Sequence, residues 1–124
     1  MITEHVYKVL EDEGVVSIVT QNSETGAHVV NTWNSYITIT EDYHILIPAG
    51  RMFTTEKNLG GDNRILLTFG SRNVMGKFSL GTGFLVEGVG QFTSEGALFE
   101  SMKERFEWIR ALLIVTPKEV TQTL

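Results

Sequence analysis

HVVNTWNSYITIT, residues 28–40, is built from strand-forming residue types but places polar groups on both of its faces. Under strict alternation Val29, Asn31, Trp33, Ser35 and Ile37 share one face, and His28, Val30, Thr32, Asn34 and Tyr36 share the other. Neither is a clean core face. The run reads as a long strand broken at the Glu41-Asp42 turn, and its irregular polarity marks a surface that meets something other than core or water.

On either side of this run the chain continues to read as strands. VVSIVTQ (15–21) precedes it across the turn-rich NSETGA (22–27), and YHILIP (43–48) follows, ended by Pro48, which has no amide to give a ladder. RILLTFGS (64–71), GFLVEGVGQF (83–92) and the nearly all-apolar IRALLIVT (109–116) complete about six strands. Residues 72–83 are Gly-rich and irregular. Apolar residues at helical spacing predict a helix over 3–13, with Thr3 as N-cap and Gly14 as stop. Thr54 or Thr55 opens a short helix that ends at Gly60-Gly61. Ser94 caps a third, with Leu98, Phe99, Met102 and Phe106 as its buried stripe. Strands outnumber helices and no strand–helix repeat is present. The expected fold is therefore mainly β: a six-stranded antiparallel split barrel with short peripheral helices, in one domain over 1–124.

Composition narrows the function. The chain has no cysteine, which excludes disulfides, thiol catalysis and iron–sulfur clusters, so redox work would need a bound cofactor. A net charge of -5 argues against nucleic-acid affinity, which depends on phosphate contacts. No apolar run is long enough to span a membrane. The start MITEHVYKVLEDEG is acidic and amphipathic, without a basic lead into an apolar stretch, so the expected location is cytoplasmic. His5, His28 and His44 lie far apart without spaced partners, so no metal site is expected, and no catalytic serine or nucleotide-binding motif is present. Gly88 and Gly90, two apart in one strand, either ease a sharp barrel bend or admit something flat against the backbone.

Charge is uneven. Residues 51–77 hold Arg51, Lys57, Arg64, Arg72 and Lys77 against Glu56 and Asp62, a local excess of positive charge on an acidic chain. Within PAGRMFTTEKN (48–58) a glycine, a cation and two threonines meet at a helix start, where outward amides suit a phosphate. A capped surface helix is the structural alternative. The aromatic plane of NTWNSY, the anion-suited loop and Trp108 would together hold a flat heteroaromatic ring with a phosphate tail; FMN has that shape and supplies redox chemistry.

These motifs carry a family resemblance. EGVV (13–16), VNTWNSY (30–36), Met52 with TE (55–56), GSR (70–72), GTGFL (81–85), the Trp108 region and the final QTL (122–124) are similar to the small FMN-binding proteins of sulfate-reducing bacteria. Those are members of the pyridoxamine 5′-phosphate oxidase-like FMN-binding split-barrel group. The resemblance implies a homodimer with one FMN per subunit near the interface, exchanging electrons with a redox partner protein. The alternative is a flavin-dependent oxidase or reductase of a small molecule. It implies cofactor contacts from Asn31, Thr32, Trp33, Tyr36, Pro48, Ala49, Gly50, Arg51, Thr54, Thr55 and Ser71. Trp108 and Leu124 are implied to reach the flavin region across the interface, with Glu13 and Arg64 as electrostatic tuners. The chain departs from the family in one place. The lysine that precedes the phosphate-binding threonine is Thr54 here, and a glycine is replaced by Arg51. The expectation is that Arg51 supplies the cation, with Lys57 or Arg72 as substitutes.

Overall fold

The computed structural model describes residues 1–124 and has three α-helices and seven strands. In chain order these are α1 (Glu4–Glu11), β1 (Val15–Asn22), β2 (Gly26–Trp33), a 3-10 turn (Asn34–Tyr36), β3 (Thr38–Ile39), β4 (Ile45–Ala49), α2 (Phe53–Gly61), β5 (Arg64–Met75), β6 (Leu80–Thr93), α3 (Ala97–Arg105) and β7 (Ala111–Gln122). All strands join one antiparallel sheet in the order β2-β1-β5-β6-β7-β4-β3. The fold is mainly β as expected, but with seven strands instead of six, and the sheet is open, with β2 and β3 as unpaired edges.

Alternation sets the core. Val16 and Ile18 of β1, Ile65, Leu67 and Phe69 of β5, Phe84 and Val86 of β6, Ile45 and Ile47 of β4, and Leu113 and Val115 of β7 point to one interior. Val6 and Val9 of α1 and Leu59 of α2 close it. A second cluster lies on the other face of β4 and β7, where Leu46 and Leu112 pack under Phe99 and Met102 of α3, with Phe106 and Ile109 beside them. Burial on both faces explains why β4 is apolar throughout. Leu98 is exposed, so the α3 stripe is narrower than expected.

Several boundaries differ from the sequence expectation for identifiable reasons. At the β1–β2 turn the Asn22 side chain accepts the amides of Glu24 and Thr25, and Gly26 takes a positive φ of 86°. β7 runs on through Pro117, because Pro117 faces Gly88 where the β6–β7 register shifts, and needs no amide there. A Cβ on Gly88 would lie 2.2 Å from the carbonyl oxygen of Thr116, and one on Gly90 would meet Leu59, Leu113 and Ile65. Both glycines therefore serve close internal packing and not a flat ligand. β5 and β6 continue into the stretch expected to be irregular, with a shift in register between Ser71 and Met75. α3 starts after Gly96 and not at Ser94. Met52, in the left-handed region at φ 59°, precedes α2, so neither Thr54 nor Thr55 is its cap. No helix is long and apolar enough to cross a membrane.

Candidate functional site

Asn34 explains the mixed polarity of the 28–40 run. Its side chain is buried and its Nδ2 donates to the carbonyls of Asp12 (2.9 Å), Gly70 (3.3 Å) and Val9 (3.4 Å). Its backbone amide donates to Gly14 O at 2.9 Å. One amide thus fastens the end of β2 to α1 and β5, and a Cβ on Gly14 would press within 2.9 Å of that Nδ2. The strand stops at Trp33, and the 3-10 turn that follows lays Tyr36 against the second core cluster. Arg105 of α3 holds the turn from outside, donating to Thr38 Oγ1 at 2.7 Å and to Ser35 O at 3.4 Å.

Tyr36 enters an aromatic cluster. Its ring centroid lies 5.1 Å from Phe106 and 5.6 Å from Trp108, and those two are 5.4 Å apart. Trp108 in turn lies on Gly50, where a Cβ would come within 3.2 Å of its ring. The end of β2, the 3-10 turn, Trp108 and the Gly50–Met52 loop that follows β4 therefore form one continuous surface, with Pro48 and Ala49 buried behind it in β4. Thr32 faces inward and is buried, whereas Asn31 and Trp33 point outward, with Asn31 accepting from Ser17 Oγ at 2.9 Å. The three residues share no face. What they share is the free edge of β2, whose outward backbone groups have no strand partner.

The loop leads into a helix start whose amides are free. The amides of Phe53, Thr54 and Thr55 precede the first helical bond, Glu56 N to Met52 O, and no side chain caps them. The Thr55 hydroxyl is fully buried and has no partner, an unusual state for a polar group. Arg110, which the sequence reading did not single out, closes the loop. Its amide bonds to Ala49 O at 2.8 Å, and its Nη2 donates to Arg51 O at 2.6 Å and pairs with Glu56 at 2.9 Å. The guanidinium lies 4.3 Å from the Phe53 ring centroid, and its Nε is buried without a partner. The Arg51 side chain is exposed, 5.6 Å over the same ring. No sequence spacing links Arg110 to residue 51; only the β4–β7 pairing does.

The remaining candidates lie elsewhere. Leu124 sits at the β5–β6 hairpin, where its carbonyl accepts from Thr82 Oγ1 at 2.8 Å, and with Ser71 and Arg72 it lines a cleft of about 330 Å³. The Ser71 hydroxyl is bonded to Asp12. Glu13 adjoins the 3-10 turn: Ser35 Oγ donates to its carboxylate at 2.7 Å, and this bond, aided by two backbone amides, holds its pKa below the usual carboxylate range. Arg64 is paired with Asp62 at 2.7 Å, six residues along β5 from Gly70, the residue level with Trp33 across β1. At ~3.3 Å per residue that is about 20 Å from the aromatic surface. Arg64 and Lys57 instead line the largest cleft, about 1560 Å³, at the opposite end of the sheet.

No protein-family model matches the chain. An "FMN-binding protein" of Nitratidesulfovibrio vulgaris (strain Miyazaki F) is 47% identical over 118 residues, covering 95% of each chain. Among solved structures, HupZ of Group A Streptococcus superposes with a TM-score of 0.81 at 15% identity, over 98% of this chain and 94% of that one. An FMN-binding protein from Syntrophomonas wolfei gives 0.78 at 12% identity, over 98% and 85%. A candidate pyridoxamine 5′-phosphate oxidase from Lactobacillus delbrueckii gives 0.73 at 12%, over 98% and 93%. The distant structures share the fold, and the relative at 47% identity places the sequence: this chain belongs to the family of that FMN-binding protein.

Proposed function

We propose that this chain binds one FMN per subunit and carries electrons to or from a partner redox protein, working as a homodimeric split barrel. The observation that carries the reading is the buried, unpartnered Thr55 hydroxyl in the first turn of the uncapped helix α2. A phosphate there would satisfy the hydroxyl and the free amides together. The aromatic surface of Tyr36 and Trp108, continuous with that loop through Gly50, suits a planar ring. When bound, FMN supplies the one- and two-electron chemistry that a cysteine-free chain lacks.

The chain's own part is to bind, orient and bias the ring electrostatically. Ionised Glu13, beside the turn that follows Trp33, adds negative charge near the end of β2. Electron transfer is favoured over substrate turnover because the polar side chains around this surface are already engaged. Asn31 is bonded to Ser17 and Ser35 to Glu13, which leaves little to recognise a small substrate. Dimerisation has support in the outer face of β1, β2 and β5, where Val15, Val29, Trp33 and Leu66 are exposed together. The test is to reduce the FMN-loaded protein photochemically and offer it a one-electron protein acceptor, and separately to give the oxidised FMN-loaded protein NADH or pyridoxamine phosphate in air. Rapid oxidation by the acceptor with no turnover is expected. Sustained turnover of either small molecule would favour an oxidase or reductase and overturn the carrier reading.

A further inference from the structure

The family lysine that precedes the phosphate-binding threonine is absent here, and we propose that Arg110 supplies the missing positive charge from β4's neighbour in the sheet, with Glu56 tempering it. This rests on the FMN reading of the same site. Arg110 begins where β7 pairs with β4, and its amide is fixed on Ala49 O at 2.8 Å. From that anchor the side chain runs along the start of α2: Nη2 reaches Arg51 O at 2.6 Å and Glu56 at 2.9 Å, and the guanidinium plane is propped on Phe53 at 4.3 Å. All three contacts are to residues 51–56, so the cation is held at the helix start instead of sweeping through solvent. Nε remains buried and without a partner, next to a first turn whose Thr55 hydroxyl is in the same state. Both are buried donors without partners, and an unpaired buried donor is the kind of group an anion satisfies.

Arg51 is less suited to the task. Its side chain is exposed and lies over Phe53 at 5.6 Å, with only its carbonyl engaged by Arg110. Lys57 and Arg72 line other clefts. Glu56 pairs with Arg110, so it both positions the guanidinium and offsets part of its charge. The arrangement predicts effects of opposite sign. Removing the cation weakens phosphate binding, and neutralising Glu56 strengthens it.

The experiment measures the affinities of the full-length apoprotein for FMN and for riboflavin, which lacks the phosphate. Arg110→Gln and Arg110→Lys are compared with Arg51→Ala and Glu56→Gln. Arg110→Gln is expected to weaken FMN roughly 10- to 100-fold while changing riboflavin affinity little. Arg110→Lys should recover part of the loss, Arg51→Ala should cost less than Arg110→Gln, and Glu56→Gln should tighten FMN binding. Equal losses for FMN and riboflavin would make Arg110 only a staple of the loop and overturn the inference, as would an Arg51→Ala effect larger than that of Arg110→Gln. Thermal unfolding of each apo variant separates a folding defect from a binding one, and the lysine variant keeps the test decisive if glutamine misfolds. A wild-type protein that takes up neither flavin would instead reject the FMN reading itself.

Discussion

Replacing Asn34 tests whether one buried amide holds the turn after β2 in place. Its Nδ2 makes a 2.9 Å bond to Asp12 O and longer ones, 3.3 and 3.4 Å, to Gly70 O and Val9 O. The short bond is worth about 1–1.5 kcal/mol and the longer two about half as much each. Asn34→Ala removes all three and leaves acceptors facing a small void, so a loss of about 2–3 kcal/mol is expected. For a domain of this size that lowers Tm by about 6–15 °C. Asn34→Asp is the sharper variant. A carboxylate is nearly isosteric but cannot donate, so it would face Asp12, Gly70 and Val9 carbonyls as a buried charge and should be worse than alanine at neutral pH. Lowering the pH to protonate it should recover part of the difference. The assay is urea or thermal unfolding of the apoprotein, read by tryptophan fluorescence. An alanine variant within about 0.5 kcal/mol of wild type, or an aspartate variant more stable than alanine at pH 7, would refute the reasoning.

Three further outcomes follow from the same structure. Gly88→Ala would bring a methyl to 2.2 Å from Thr116 O, backbone that cannot yield, so unfolding should show a loss of about 2 kcal/mol or more. The Asp62 carboxyl is held at about 2, against 3.8 ordinarily, by hydrogen bonds from Arg64. A depressed folded-state pKa means that this contribution is complete above about pH 4 and is lost as the pH falls towards 2, so acid unfolding of Arg64→Ala should lack that part of the wild-type slope. Glu13→Gln removes a carboxylate kept ionised by Ser35 beside the end of β2, and the midpoint potential of bound FMN should rise, as spectroelectrochemistry would register.

How much of this was legible beforehand differs between fold and site. Period-two alternation exposed β1, β5 and β6, because each has a face buried in the shared core. β3 was read as the tail of one long strand over 28–40, because nothing in the composition marks the 3-10 turn that separates it from β2, and the full β5–β6 hairpin was missed because its register shift breaks the alternation. Pro117 disguised the continuation of β7, since its tolerance depends on a bulge in the partner strand. The left-handed Met52 that starts α2 has no local code, so the two threonines looked like caps. At the site, the oddity of NTWNSY was visible, but not its cause. Asn34 is polar in a run of polar residues, and only long-range carbonyls from Val9, Asp12 and Gly70 reveal it as a buried pin. Arg110 was hidden for a similar reason, being 59 residues from the loop carbonyl it holds.

The central claim is that an FMN phosphate is received at the uncapped start of α2 by the buried Thr55 hydroxyl. Calorimetric titration of the apoprotein with FMN, for wild type and for Thr55→Val, tests it most directly. The hydroxyl has no partner without ligand, so the valine apoprotein should be at least as stable as wild type. We predict one FMN per wild-type chain and binding weakened roughly 10-fold or more in the variant. An apoprotein that takes up no FMN, or a stable Thr55→Val protein that binds it as tightly as wild type, would contradict the account.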